Sequence, residues 1–301
     1  MNIESLNRRY SIQDKIHFRE TDSGLAIAEI DNGHAHATIC LQGGHVMTWQ
    51  PRTQEKPVIW LSGNASLLPG KSIRGGVPVC WPWFGPHVSE PGFPAHGFAR
   101  TVAWEITRAE NTAGDETVIG FKLEQNARTQ AMWPYETRLN ILITLGNTLK
   151  IDLVTENGDA QDVVISEALH TYFQVGDIAD IQILGLEDCD YYDKVAGGLR
   201  ARQEGAIRFS AETDRVYVNT TSTCSIEDTL LKRRIRIAKS GSHSTVVWNP
   251  WQEKADKMGD LGPDGWRRMV CVESANAMDN PVLIPAGKSH TLGVEYSVED
   301  M

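Results

Sequence analysis

The sequence predicts an all-β fold in which mainly antiparallel sheets pack as a sandwich and a few short helices connect the strands. Apolar residues recur at every second position through much of the chain, which places them on one face of a strand. Helical spacing of apolar residues is sustained nowhere for more than about three turns. A wound α/β fold, which needs amphipathic helices between its strands, is therefore disfavoured.

The clearest local element is a β-hairpin around Gly146-Asn147, a dipeptide suited to a tight turn. Apolar residues alternate on both sides of it, at Leu139, Ile141, Ile143 and Leu145 and then at Leu149, Ile151 and Leu153. Shorter runs of the same kind predict strands around 119–123, 235–237 and 292–298. Residues 251–258 are a candidate short helix. Residues 67–94, rich in Pro and Gly, predict a loop.

Length and charge limit the class of protein. The 301 residues, 41% of them hydrophobic, suffice for a substantial core, and no linker or repeat marks a domain boundary. We expect one domain over residues 1–301. A formal charge of -10 argues against nonspecific binding to nucleic acid or anionic membranes, both of which require a basic face. An anionic substrate would then need local arginines.

Targeting and cysteine signals are weak. The first ten residues contain no apolar run like the core of a signal peptide, and nowhere are eighteen consecutive residues apolar. We expect a cytoplasmic protein, and a sandwich of this size could act as a monomer. The five cysteines, without Cys-x-x-Cys spacing, indicate reduced and mostly buried thiols rather than disulfides or a zinc site.

Residues 72–86 contain Gly, Pro and Trp too densely for an ordinary strand. Gly75 and Gly76 allow the backbone to approach a ligand, prolines restrict the loop, and tryptophan faces suit the C–H groups of a sugar. This composition fits a ligand-facing wall and a self-packed surface loop equally well.

Titratable residues in four segments are candidates for chemistry. Glu273 lies at the end of an apolar strand, where an ionised carboxylate is costly without partners or a function. His170 lies in a largely apolar, β-prone run that would hold its imidazole stiffly. Taken alone, His96 is more typical of a structural histidine, Arg100 of a surface ion pair, and Asp214 of a turn or cap.

Several separated motifs in register carry a resemblance to a known family. They are IRGGVPVCWPWFGP, PAHGFAR, SEALHTYF, ETDRVY, VVWNPW and VCVESAN. In this order they resemble the glucose-6-phosphate 1-epimerases, also called hexose-6-phosphate mutarotases, of the aldose 1-epimerase superfamily. The likeness covers about residues 37–298. It implies the galactose-mutarotase-like β-supersandwich and an isomerase that interconverts sugar anomers.

The resemblance also implies site residues. His170 matches the general acid and Glu273 the general base, while Asp214 and His96 match groups that contact the sugar. A further pair, Arg74 and Arg100, matches arginines associated with the phosphorylated end of the substrate. One departure is Ala95, where some relatives use a glutamine amide on the substrate.

These residue types suit anomer exchange of a hexose 6-phosphate. An ionised Glu273 would take the proton of the C1 hydroxyl while protonated His170 donates to the ring oxygen, and the ring opens to an aldehyde. Rotation about C1–C2 and closure then give the other anomer. No metal or redox cofactor is needed, so none is expected. Guanidinium groups suit the phosphate dianion.

Two alternatives stay open from the sequence. A noncatalytic protein on the same fold could bind a phosphosugar without turnover. A metal site could use His34, His36 and His45, although residues 32–36 are more typical of a turn entering a strand with solvent-facing histidines. The basic run 232–234 is interpreted as a solvated hairpin end.

Overall fold

The structure, a computed structural model, describes residues 2–301 and is built mainly of strands. Its α-helices are α1 (Ile3–Tyr10), α2 (Ala127–Met132) and α3 (Trp251–Met258). Its strands are β1 (Ile16–Glu20), β2 (Ala26–Asp31), β3 (Ala35–Cys40), β4 (His45–Pro51), β5 (Val79–Cys80), β6 (Trp104–Asn111), β7 (Thr117–Leu123), β8 (Thr137–Leu145), β9 (Leu149–Asn157), β10 (Val163–Ile165), β11 (Glu167–Leu169), β12 (Tyr172–Gln174), β13 (Ile181–Leu184), β14 (Asp190–Asp193), β15 (Leu199–Arg202), β16 (Thr213–Val218), β17 (Cys224–Asp228), β18 (Arg233–Ser240), β19 (Ser244–Asn249), β20 (Met269–Asn276), β21 (Val282–Ile284) and β22 (Ser289–Asp300). Three short 3-10 helices cover Ala99–Thr101, Ile178–Asp180 and Gly265–Arg268.

The strands form antiparallel sheets. One eight-stranded sheet runs in the order β13-β17-β18-β22-β9-β8-β7-β6, and a second follows β15-β14-β16-β19-β20-β11-β5 with β12 also paired to β20. We name these the back sheet and the site sheet. Strands β1 to β4 form a four-stranded sheet, and β10 pairs with β21. The prediction of packed antiparallel sheets with few short helices is confirmed.

Apolar alternation sets the register of the back sheet. In the predicted hairpin, Leu145 of β8 lies opposite Leu149 of β9, and both strands alternate buried and less buried residues. Because side chains alternate between faces, each strand directs one apolar row into the core. The predicted strands at 119–123, 235–237 and 292–298 also form, and the predicted helix at 251–258 is α3.

Strand β20 lies at the centre of the molecule, with all eight of its residues buried. On one face Val270 and Val272 join the main core. On the other face Cys271 packs among aromatic side chains, and Glu273 continues the same row. Contact between Phe173, next to β20 in the site sheet, and Tyr296 of β22 joins the sheets, with ring centroids 5.1 Å apart. The site sheet is therefore packed directly against the back sheet through the main core.

The predicted loop at 67–94 holds only the two-residue strand β5. It nevertheless packs inward: Trp81 is fully buried, and its indole Nε1 donates to Thr155 Oγ1 at 3.1 Å. Gly97, which follows the loop, has a φ of +69°, and a Cβ there would overlap the carbonyl oxygen of Trp81. Only glycine allows this close passage of two backbone segments.

The interpretation of the basic run 232–234 as a solvated end is wrong for its central residue. Arg233 is 1% exposed, and its guanidinium donates to the carbonyl oxygens of Lys56, Pro57 and Gln174. Short charged runs usually face solvent, but here three backbone carbonyls converge on one arginine and replace its water.

Among residues 2–301, no helix is both long enough and apolar enough to cross a membrane.

Replacing Gly97 with alanine tests the close packing of the loop. We expect Gly97→Ala to lower the free energy of unfolding by about 3 kcal/mol or more, because a left-handed non-glycine residue and an overpacked contact both cost energy. Denaturant unfolding measures this change. Gly70→Ala is the matched control, since Gly70 has a φ of +76° but open space around its Cβ position, and should lose only about 1 kcal/mol. Equal losses in both variants would contradict the packing argument.

Candidate active site

Neighbouring strands of the site sheet bring the candidate residues into one cavity of about 330 Å³. Asp214 lies on β16 and Glu273 on β20, with β19 between them. His170 lies in the gap between β11 and β12, which both pair with β20. Small-molecule sites typically enclose about 300–1,000 Å³, so the cavity is large enough for a small ligand. All six residues singled out from the sequence line it: Arg74, His96, Arg100, His170, Asp214 and Glu273.

A larger groove of about 600 Å³ lies elsewhere, beside β1 and the turn before it. Its charged side chains include Lys15, paired to Asp115, and Asp31, which pairs with Arg52. These charges already have partners, and the groove holds none of the six candidate residues. The smaller cavity, where buried groups without partners converge, is therefore the candidate site.

His170 and Glu273 form the centre of the site. His170 Nδ1 lies 3.4 Å from Glu273 Oε1, but the angles do not make a hydrogen bond. The side chains are 12% and 2% exposed, and Glu273 Oε2 also lacks a partner. Buried polar atoms are normally hydrogen-bonded. Buried atoms without a partner that line a cavity therefore indicate where a ligand could bind.

Burial changes the protonation of this pair. It raises the pKa of Glu273 well above 4.5, and the nearby Asp214 carboxylate raises it further. Burial also lowers the pKa of His170 well below 6.5, with smaller contributions from His96, Arg100 and Arg74. The ligand-free cavity therefore favours a neutral acid beside a neutral imidazole, whereas the sequence interpretation began with ionised Glu273 and protonated His170.

His96 is held as a neutral hydrogen-bonding group. Its φ of +64° is unusual for a residue other than glycine, and its backbone N–H donates to the carbonyl oxygen of Gly85 at 2.7 Å. Burial lowers its pKa to about 3, and the charges of Arg100, Lys194 and Arg74 act in the same direction. The Gly85 N–H points at His96 Nδ1 from 3.4 Å, which leaves Nε2 as the ring donor. His96 can therefore bind a hydroxyl but is a poor acid.

Arg74 is oriented before any ligand arrives. Its Nε donates to Asp260 Oδ2 at 3.0 Å and its Nη1 to the Tyr172 hydroxyl at 2.9 Å. Tyr172 in turn stacks on the His170 ring, with centroids 5.0 Å apart and planes 9° apart. Tyr172 thus connects the arginine to the central histidine.

Arg100 is tied to the backbone rather than to a carboxylate. Its Nη2 donates to the carbonyl oxygen of Ala95 at 3.0 Å, while Nε is buried without a partner. Ala95 therefore positions this cation through its main chain. Across the cavity, burial raises the pKa of Asp214, and the positive charges of Lys194 and Lys254 oppose that rise.

Sequence reasoning missed several residues that line the cavity. Tyr172 and Trp248 lie inside quoted motifs, and aromatic character in a motif beside a histidine was an available signal. Asp260 and Lys194 lie in turns outside every motif. Because turn residues are usually solvated, no local pattern distinguishes these two from other surface charges.

The histidines of the proposed metal site do not come together in residues 2–301. His45 is buried with Nε2 2.9 Å from the Gly75 carbonyl oxygen, whereas His34 contacts the Gly114 carbonyl and His36 faces Asp31. The solvent-facing orientation expected for residues 32–36 holds for His36, which is exposed, while His34 is partly exposed. In the described chain, the group whose atoms could reach one metal ion is His170, Cys271 and Glu273, all within 4.8 Å.

Solved structures of known proteins share this fold. The fold is shared with a galactose mutarotase related enzyme from Lactobacillus acidophilus, at a TM-score of 0.72 over 90% of this chain and 97% of that one, although only 14% of residues are identical. A crystal structure titled "putative mutarotase" from Salmonella typhimurium superposes with a TM-score of 0.90 and 32% identity, covering 97% of this chain and 96% of that one.

The family model for aldose 1-epimerase matches residues 27–297. An Escherichia coli K12 protein named "Putative glucose-6-phosphate 1-epimerase" is 37% identical over 267 residues, which are 88% of each chain. This chain belongs to the aldose 1-epimerase family, whose members are carbohydrate epimerases, and the resemblance seen in the motifs is confirmed at that level.

The pH dependence of anomer exchange tests the protonation of the central pair. His170 with a lowered pKa takes up a second proton only well below pH 6.5, and Glu273 with a raised pKa keeps its proton well above pH 4.5. We expect kcat/KM to be level around neutrality and to fall in acid only below pH 6.5. The pH profile should be measured with glucose as well as with glucose 6-phosphate, because a phosphate ester itself ionises at about pH 6. An acid limb centred at or above pH 6.5 with both sugars would contradict this assignment.

Proposed function

We propose that this chain interconverts the α and β anomers of a hexose 6-phosphate, with glucose 6-phosphate as the substrate. The observation that carries the proposal is the buried pair His170 and Glu273, 3.4 Å apart, with unpartnered atoms in a cavity lined by arginines. Family membership supports the reaction class. The phosphate preference is supported by the cations of the cavity and by the name of the Escherichia coli relative.

Between them, Glu273 and His170 hold one exchangeable proton at the start and at the end of the reaction. In the ring-opening direction Glu273 takes the proton of the C1 hydroxyl while His170 gives one to the ring oxygen, so that the pair ends as a neutral acid and a neutral imidazole. This is the state that burial favours. The imidazolium and carboxylate that begin the step have the same total number of protons. A pair that holds one proton over a wide pH range therefore serves both directions.

The remaining groups hold the sugar between these two. His96 and Asp214 line the cavity and have side chains suited to binding hydroxyl groups, and the aromatic faces of Tyr172 and Trp248 can pack on C–H groups. Arg74 and Arg100 present guanidinium N–H groups, which suit a phosphate dianion. Since the whole chain carries a formal charge of -10, binding of an anion depends on these local cations.

The proposal also covers the domain extent, oligomeric state, location and cofactor requirement of the protein. We infer that residues 1–301 act as one catalytic domain with its core at about 37–298, that the protein works as a monomer in the cytoplasm, and that it uses no cofactor. The proposed proton transfers are complete within the side chains of His170 and Glu273.

Substituting the central pair tests the chemistry. We expect Glu273→Gln and His170→Asn each to lower kcat about 10²- to 10⁴-fold, because a general acid or base typically contributes that much. Exchange between anomers is measured by NMR magnetisation transfer. Glu167→Gln is the matched control: Glu167 is also fully buried and lies 3.0 Å from His290, but outside the cavity. Near-normal exchange in either central variant would refute the roles, and sugar phosphate binding without exchange in the unaltered protein would indicate a noncatalytic binder.

The role of Arg100 is tested by comparing two sugars. We expect Arg100→Ala to lower kcat/KM for glucose 6-phosphate by about 10- to 100-fold and that for glucose far less, because only the phosphate requires the charge. Each sugar serves as the control for the other in the same enzyme preparation. Equal losses on both sugars would show that Arg100 supports the site rather than the phosphate.

A further inference from the structure

Lys194 is a cation of the cavity that neither the sequence motifs nor the proposed mechanism uses. It follows strand β14 directly, at the start of the turn that leads into β15. Its side chain lines the same cavity as His170 and Glu273, and Nζ lies 5.6 Å from the centre of the Phe84 ring. The residue is exposed, so ligands and solvent can reach it.

The turn that carries Lys194 is fixed from both sides. The backbone N–H of Lys194 donates to the carbonyl oxygen of Asp214 at 2.8 Å, which ties it to the site sheet. Asp193 closes the turn, since its Oδ1 accepts from the backbone N–H groups of Val195 and Ala196, each at 3.1 Å. The Asp193 carboxylate also lies 3.4 Å from Arg215. The base of the lysine is therefore held in place, while its four-carbon stem stays adaptable.

Lys194 and Arg100 act on the same part of the cavity. The charges of both oppose the rise in the pKa of Glu273, and both help to lower the pKa of His96. Both side chains also line the cavity that contains Glu273 and His96, although they come from distant parts of the chain.

The three cations that line the cavity, Arg74, Arg100 and Lys194, differ in whether a carboxylate already offsets their charge. Arg74 forms an ion pair with Asp260. Within residues 2–301, neither Lys194 nor Arg100 has a carboxylate oxygen within 4.0 Å of its side-chain nitrogens. With Glu273 neutral, the three cations of the cavity exceed the carboxylates of Asp214 and Asp260 by one charge, and the charges of Lys194 and Arg100 are not offset by an ion pair in the described part of the chain.

We propose that Lys194 is a specificity-determining residue that binds the phosphate group of the substrate together with Arg100. This inference rests on the proposed function, because it names a further ligand of the phosphate in the same site. Among the described residues, the ammonium group of Lys194 has no carboxylate partner, so its full charge can act on a dianion. The charge of the Arg74 guanidinium, in contrast, is partly offset by Asp260. The acidic protein would otherwise repel such a substrate.

The test uses the purified full chain with Lys194→Met, which keeps the length of the stem and removes the charge. We expect kcat/KM for glucose 6-phosphate to fall about 10- to 100-fold, the range for a lost charge-assisted hydrogen bond, and that for glucose to fall about threefold or less. Lys194→Arg should restore most of the loss. Lys254→Met is the matched control, because Lys254 also acts on Asp214 but is paired with Glu212 at 2.6 Å outside the cavity.

A second measurement does not depend on turnover of a sugar phosphate. Inorganic phosphate should inhibit the exchange of glucose competitively, and Lys194→Met should raise its inhibition constant about tenfold or more while the midpoint of thermal unfolding stays unchanged. High salt should weaken inhibition of the unaltered protein more than that of the variant, because the charge on Lys194 is exposed to screening.

The outcomes separate the two proposals. If the unaltered protein prefers glucose 6-phosphate and Lys194→Met retains that preference, the inference about Lys194 is wrong and the proposed function stands. Equal losses on glucose and glucose 6-phosphate would also overturn the inference, since Lys194 would then bind the sugar. If the unaltered protein shows no preference for the phosphorylated sugar, the proposed substrate itself is wrong, and with it the role of Lys194.

Discussion

The site depends on one costly placement, a carboxylate in the middle of a fully buried strand. Glu273 is 1% exposed, and one of its oxygens has no hydrogen-bond partner. Removing an ionised carboxylate from water costs several kcal/mol unless charges or hydrogen bonds replace the solvent. The cavity instead lets Glu273 hold a proton and places His170 beside it. The same burial that threatens stability thus prepares an acid and base pair.

Such a placement requires rigid surroundings. Strand β20 is flanked by β19 and by β11 and β12, and its opposite face belongs to the main core. The break between β11 and β12 allows His170 to stand beside Glu273 without disrupting the sheet. Close packing then prevents the two side chains from relaxing towards solvent, which keeps their pKa values displaced.

The cavity concentrates positive charge in a chain whose net charge is negative. The chain as a whole is acidic, yet Arg74, Arg100 and Lys194 line one cavity. Each has a different support: Arg74 a carboxylate and a hydroxyl, Arg100 a backbone carbonyl, and Lys194 a hydrogen-bonded turn. Confining positive potential to a small concave region favours a small anion and disfavours extended anionic surfaces.

The sequence by itself determined the strands and the residues with motif signatures. Strict alternation, as in the hairpin from Leu139 to Leu153, specifies which face is buried because a shift of one residue would expose the entire apolar row. The six candidate residues lay in motifs that resemble one family, and all six line the cavity.

Only the tertiary structure decided which isolated charges join them. Lys194 and Asp260 look like ordinary turn residues, and Arg233 like part of a solvated basic run, because local sequence carries no record of what packs against it. The protonation of His170 and Glu273 was equally hidden. Burial and neighbouring charge set a pKa, and both arise from segments about a hundred residues apart that meet only when the sheet forms.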